Sequence, residues 1–154
     1  MNMMARSKEL SLNTGKIGED AIAEFFGFKK TDNWYDPEKD GSALCTGVDY
    51  EVKTFRLNFK TQGFWIDQSQ YNKVDNVDAL FFVRIPESES ELAQVYIATN
   101  HKDPKSYRIT SRRDGTKVRC YQLTKCLPLF KIDAERSRIL YENSVKNSIH
   151  GRFK

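Results

Sequence analysis

In the stretch Gly47-Val48-Asp49-Tyr50-Glu51-Val52-Lys53-Thr54, two carboxylates and an ammonium alternate with apolar residues. Side chains of a β-strand point alternately to opposite faces, roughly 6–7 Å apart along each face. Val48, Tyr50, Val52 and Thr54 therefore share one face, and Asp49, Glu51 and Lys53 the other. The first face suits a core. The second suits either a metal site with an ammonium beside it, or the solvated side of an antiparallel sheet. Acid-x-Lys is a weak signal by itself, since Asp103-Pro104-Lys105 fits it too, with a proline that disfavours the middle of a paired strand.

The neighbouring segments must position these groups. Asp36-Pro37-Glu38-Lys39-Asp40-Gly41 is dense in turn residues, and a hairpin follows naturally. A bend near Cys45-Thr46-Gly47 carries Asp40 towards Glu51, whereas a bend near Ala43 brings Asp36 there instead. Upstream, Ile17, Ala21, Ile22, Phe25 and Phe26 form the apolar stripe of an amphipathic helix starting after Ser11, capped by Asn13 or Thr14 and ended by Gly27. Residues Met1 to Leu10 are expected to fray. Gly18 lies in the first turn of that helix, where it would let another backbone approach closely. Glu19, at the edge of the stripe, either reaches a site beside the helix or favours the positive end of the helix dipole.

Phe28 to Tyr35 reads as a strand or a strand and a turn, and Phe64-Trp65-Ile66 as a short strand. Asp67-Gln68-Ser69-Gln70 resembles a capping box, with a helix from Gln68 to about Val74. Ala79 to Ile85 is an unbroken apolar run for most of its length, a strand buried on both faces, and Ala93 to Thr99 a further strand antiparallel to it. Arg113-Asp114-Gly115-Thr116 suits a hairpin turn, and Asp133 to about Ile149 a final helix with Ile132, Ile139 and Leu140 as its apolar edge.

The chain has 154 residues, 39% apolar and 30% charged, as expected of one soluble domain. No apolar run approaches bilayer length, and the first ten residues contain no signal-peptide core, so no membrane association and a cytoplasmic location are expected. Three cysteines fit reduced thiols, and Cys120 and Cys126 with His101 and His150 make poor zinc spacing. The net charge of +4 conceals a segregation. Residues 1–99 carry 11 Lys/Arg against 16 Asp/Glu, and residues 100–154 carry 14 against 5. An acidic front suits a metal site, and a basic back suits a polyanion such as nucleic acid. Arg56 and Lys60, then Arg108, Arg112, Arg113, Lys117 and Arg119 interleaved with Tyr107 and Tyr121, are the candidate contacts to a nucleic-acid backbone and its bases.

A helix with Gly-x-x-Gly-Glu, a strand, a hairpin carrying Asp…Glu-x-Lys, a helix and a buried strand, in that order over about residues 11–86, resembles the core of the PD-(D/E)XK nuclease superfamily. The resemblance implies an α/β (α+β) fold with a restriction-endonuclease-like mixed sheet and flanking helices. The single domain 1–154 would then divide into a nuclease-like core, 11–99, and a basic hairpin and helix extension, 100–154. It further implies a Mg²⁺-dependent DNA endonuclease of phage or restriction-system type, with Mn²⁺ able to replace Mg²⁺. Glu51 and Lys53 match the Glu-x-Lys pair, Asp40 best matches the preceding acid, and Glu19 matches the helix acid of many members. Asp40, Glu51, the Val52 carbonyl and Glu19 would be the metal ligands, Lys53 would act on the attacking water, and Gln68 or Gln70 would stand where some members place a glutamine. Lys39 rather than proline precedes Asp40, and Asp36-Pro37 reverses the motif's order, which keeps Asp36 open as the alternative to Asp40. Cutting both strands of a duplex usually calls for two active sites, so a homodimer is expected, with the last helix as its interface. A non-catalytic nucleic-acid-binding protein, an RNA-directed nuclease and a protein-binding domain are the competing expectations.

Overall fold

Seven residues of alternating character become the strand β3, Asp49–Phe55, which pairs in parallel with β5, Ala79–Arg84, from Tyr50 opposite Ala79 to Phe55 opposite Arg84. The computed structural model describes residues 3–30, 41–43, 49–56 and 62–152, with side chains for 14–27, 49–56 and 62–146. Around the parallel pair lie β1, Phe28–Lys30, and β2, Gly41–Ala43, on one side, and β6, Gln94–Ala98, and β9, Cys126–Lys131, on the other. The sheet order is β1-β2-β3-β5-β6-β9, with every pairing antiparallel except β3 with β5. A second sheet has the order β4-β8-β7, from β4, Gly63–Asp67, β7, Arg108–Ser111, and β8, Lys117–Gln122. Three α-helices complete the described chain: α1, Met3–Phe26, α2, Tyr71–Asp75, and α3, Ala134–Arg152. The fold is mixed α and β, with one mixed and one antiparallel sheet.

Two parallel neighbours need a crossover between them, and the segment from Arg56 to Asp78 supplies it, carrying β4 and α2. The main sheet is covered on both faces. Tyr50, Val52, Phe81 and Val83 pack with Ala21 and Ile22 of α1 and Leu140 of α3. Leu80 and Phe82, alternating with them along β5, pack with Phe64 and Ile66 of β4, Val74 of α2 and Tyr121 of β8. The Phe64 and Phe82 rings stack with centroids 4.6 Å apart. Full burial of a side chain of this size contributes about 1.5–3 kcal/mol, so the unbroken apolar run of β5 reflects a strand with no solvated side.

Several expectations need correction. The first helix begins at Met3, since Met, Ala, Arg, Lys, Glu and Leu before Ser11 are good helix formers, and Gly15 and Gly18 lie inside it. Gly18 does serve close approach, to side chains of the sheet: a Cβ there would lie 2.6 Å from Thr54 Oγ1 and 3.1 Å from Val83 Cγ2. Gly27, at φ 70°, ends the helix as expected. The basic segment 100–154 is no appendage. Its β9 is an edge strand of the main sheet, its β8 is the centre of the second sheet, and Phe25 of α1 stacks on Phe130 of β9 with centroids 3.8 Å apart. Helix α3 starts where Asp133 Oδ2 accepts from the Arg136 backbone N–H at 3.0 Å. Beyond Lys30, the strand expected to reach Tyr35 lies outside the described residues. Cys120 and Cys126 are buried free thiols, and no described helix is long and apolar enough to cross a membrane.

Candidate functional site

Strand alternation sends Glu51 and Lys53 to the same face as their β5 partners Leu80 and Phe82, towards α2 and the second sheet. Glu51 is only 1% exposed. A buried carboxylate is costly unless compensated by charge and hydrogen bonds. Two ammonium groups stand beside it: Lys53 Nζ and Lys73 Nζ each lie 3.4 Å from Glu51 Oε1. Lys53 Nζ also donates to Gln70 Oε1 at 2.8 Å. One short segment of the crossover thus presents Gln70 and Lys73, three residues apart, to the strand that carries Glu51 and Lys53.

That segment is held from outside by β8 and its hairpin. Asp67 accepts from the Ser69 backbone N–H at 3.0 Å and from its hydroxyl at 2.7 Å, which opens a 3-10 turn, Gln68–Gln70, before α2. These bonds, with the Arg112 guanidinium, hold the Asp67 carboxyl below its usual range. Gln70 therefore does not reach back as in a capping box; its side chain is committed to Lys53. Gln68 Oε1 instead accepts from the Lys117 backbone N–H at 3.0 Å. At the far end of α2, Asp75 takes two bonds from the Arg119 guanidinium, at 2.7 and 2.9 Å, which lower its pKa. Arg119 lies between the rings of Tyr71, 4.1 Å from the centroid, and Tyr107, at 4.5 Å. His101 Nε2 lies 3.1 Å from both the Val74 and Val77 carbonyls, close enough to satisfy the end of the helix, and burial lowers the His101 pKa.

The other expected residues are placed as follows. Glu19 is half-buried on α1, next to Gly18 and on the helix that covers the Tyr50 and Val52 face. Asp40 and Asp36 lie outside the described residues. The β2 register, Gly41 opposite Tyr50 and Ser42 opposite Asp49, with Ala43 paired to Phe28, excludes a bend at Ala43; Cys45-Thr46-Gly47, where the other bend is expected, lies outside the described residues. Asp49 is bound to the start of β5: its N–H donates to Asp78 Oδ2 at 3.0 Å, and its carbonyl accepts from the Asp78 N–H at 2.9 Å. Among the described residues, no three His, Cys, Asp or Glu side chains gather as a metal site.

Of the cations, Arg108, Arg112, Arg113 and Lys117 are exposed on the β7–β8 hairpin, around a turn at Gly115 with φ 88°. Arg112 is ion-paired with Asp67. Arg119 is not a surface cation: it is 8% exposed and committed to Asp75, and its neighbour Tyr121 is buried at 1% with its hydroxyl bonded to the His101 carbonyl. The aromatic interleaving of this segment therefore belongs largely to the core. Arg56 is exposed and its Nε donates to Ser144 Oγ of α3, and Lys60 lies outside the described residues. Lys73 and Asp75 were not among the expected site residues. The spacing Gln70-x-x-Lys73 behind the Asp67 cap is the signal that points to Lys73. Compared with protein-family models, curated proteins and solved structures, the chain matches none of them.

Proposed function

We propose that this chain is a Mg²⁺-dependent DNA endonuclease with a restriction-endonuclease-like core, acting in the cytoplasm and as a dimer where both strands are cut. The observation that carries this is the buried Glu51 carboxylate with the Lys53 ammonium 3.4 Å away, held by Gln70. A carboxylate oxygen is the hard donor Mg²⁺ takes, and Mg²⁺ commonly uses one or two carboxylates. Glu51 fits that requirement, with Asp40 or Asp36 as the second acid and the Val52 carbonyl as a further ligand. When bound, Mg²⁺ would supply Lewis-acid charge at the phosphate. Lys53 would orient the attacking water and add positive charge where the phosphate gains negative charge. Gln70, by accepting from Lys53, would fix that ammonium in place. Exposed Arg108, Arg113 and Lys117, on the hairpin that also holds α2, would bind the DNA backbone.

The same ion pairs suit a second function, because two lysines beside Glu51 would equally neutralise a carboxylate with no catalytic duty. In that case the chain would bind nucleic acid through its basic hairpin alone. Incubation of supercoiled plasmid with the purified protein, in Mg²⁺ or EDTA, tests the two. Nicking or linearisation that needs Mg²⁺ is the expected result. A gel shift without cleavage, equal with metal and with chelator, would favour binding alone.

A further inference from the structure

Glu51 has two cations at the same distance, yet they are held differently. Lys53 Nζ is 3.4 Å from Glu51 Oε1, 15% exposed, and anchored by its bond to Gln70. Lys73 Nζ is also 3.4 Å from that oxygen, but its side chain is 28% exposed, and Glu51 is its only ion-pair partner among the described residues. Its backbone is fixed by the neighbouring Val74, which is fully buried, and by the Asp75–Arg119 pair, while its flexible four-carbon stem leaves the ammonium free to swing.

A divalent cation on Glu51 would place two positive charges beside both ammonium groups. Like charges at such range repel strongly in a partly desolvated site. The lysine that can leave at least cost is the one with the more exposed side chain and no second anchor among the described residues. We propose that Lys73 is the exchangeable counter-charge of Glu51: it neutralises the buried carboxylate in the metal-free protein, gives way to the divalent cation, and then contacts a phosphate of the DNA backbone. This rests on the endonuclease function proposed above. Lys73 differs in role from Lys53, which stays with Gln70 throughout.

The test follows Mn²⁺ binding to the intact chain without DNA, through the electron paramagnetic resonance signal of free Mn²⁺, alongside steady-state DNA cleavage in Mg²⁺. Lys73→Met is expected to bind Mn²⁺ about fivefold more tightly than the wild type, the scale of one lost part-exposed ion pair. It is also expected to raise KM for DNA about fivefold or more with little change in kcat, whereas Lys73→Arg keeps a KM near the wild-type value. Unchanged Mn²⁺ affinity or an unchanged KM in Lys73→Met overturns the proposal while leaving the endonuclease intact. Equal Mn²⁺ binding by the wild type and Glu51→Gln removes the metal from Glu51, and with it both this proposal and the metal site beneath it. If Lys73→Met does not fold, Lys73→Gln carries the same measurements.

Discussion

Lys53 Nζ donates to Gln70 Oε1 at 2.8 Å, joining the main sheet to the turn that opens α2. The bond spans the crossover required by the parallel pairing of β3 and β5. The topology that buries β5 on both faces therefore also brings the glutamine to the lysine. An ammonium held in this way is restricted in direction, which matters for a group that must meet a developing charge.

Replacing Gln70 by Ala should leave Lys53 with Glu51 but without its second anchor. Cleavage by Gln70→Ala is expected to fall about tenfold or more in kcat, the scale of losing one positioning hydrogen bond. Circular dichroism should remain that of the wild type, because Gln70 is half-buried and outside both cores. Activity equal to the wild type would show that Lys53 needs no such anchor.

The Arg119–Asp75 pair is a structural clasp between β8 and α2. Arg119→Met removes two charge-assisted bonds and contacts with two rings, and should lower the unfolding free energy by about 2–3 kcal/mol in urea titration. Lysine cannot reproduce the planar fork, so Arg119→Lys should recover only part of that loss. A neutral effect of Arg119→Met on stability, with weakened DNA binding, would return this residue to the nucleic-acid surface.

His101 should give the fold a distinctive pH response. Burial lowers its pKa from the ordinary 6.5, so below that value the unfolded chain binds a proton that the folded chain resists. Stability is therefore expected to fall as pH drops from about 6.5 towards the folded-state value, and to be independent of this group above it. Urea titrations between pH 5 and pH 8 should show the slope in the wild type and a shallower one in His101→Gln. Parallel slopes in the two proteins would contradict this.

On the β7–β8 hairpin, Arg108 and Arg113 are exposed, and no ion pair involving either is among those of the described residues. If they contact phosphates, Arg108→Ala combined with Arg113→Ala should weaken DNA binding and flatten the slope of log affinity against log salt by about 2. Filter binding from low to moderate salt would measure it. An unchanged slope would place the DNA elsewhere.

Local signals recovered much of this molecule. Alternation in Asp49 to Lys53 put Glu51 and Lys53 on one face, the apolar run of β5 announced a doubly covered strand, and Arg113-Asp114-Gly115-Thr116 turned as its residues require. What escaped depended on partners distant in sequence. Gly63 pairs with Gln122, so nothing near β4 reveals the second sheet. Arg119 reads as one more surface cation until Asp75, 44 positions away, is seen to hold it. Lys73 lies 22 positions from Glu51, and only the fold of the crossover makes them neighbours. The early start of α1 escaped for another reason: the residues before Ser11 carry charge without an apolar stripe, and Asn13 or Thr14 reads as a cap, whereas the helix-forming residues there continue α1 back to Met3.

Single-turnover cleavage of supercoiled plasmid in Mg²⁺, by the wild type beside Glu51→Gln and Lys53→Ala, tests the central claim most directly. Both variants change few atoms, and their folding can be verified by thermal unfolding. Metal-dependent cleavage by the wild type, lowered at least about a hundredfold in each variant while DNA binding persists, is the predicted result. Folded variants that cleave at the wild-type rate would take the chemistry away from this strand.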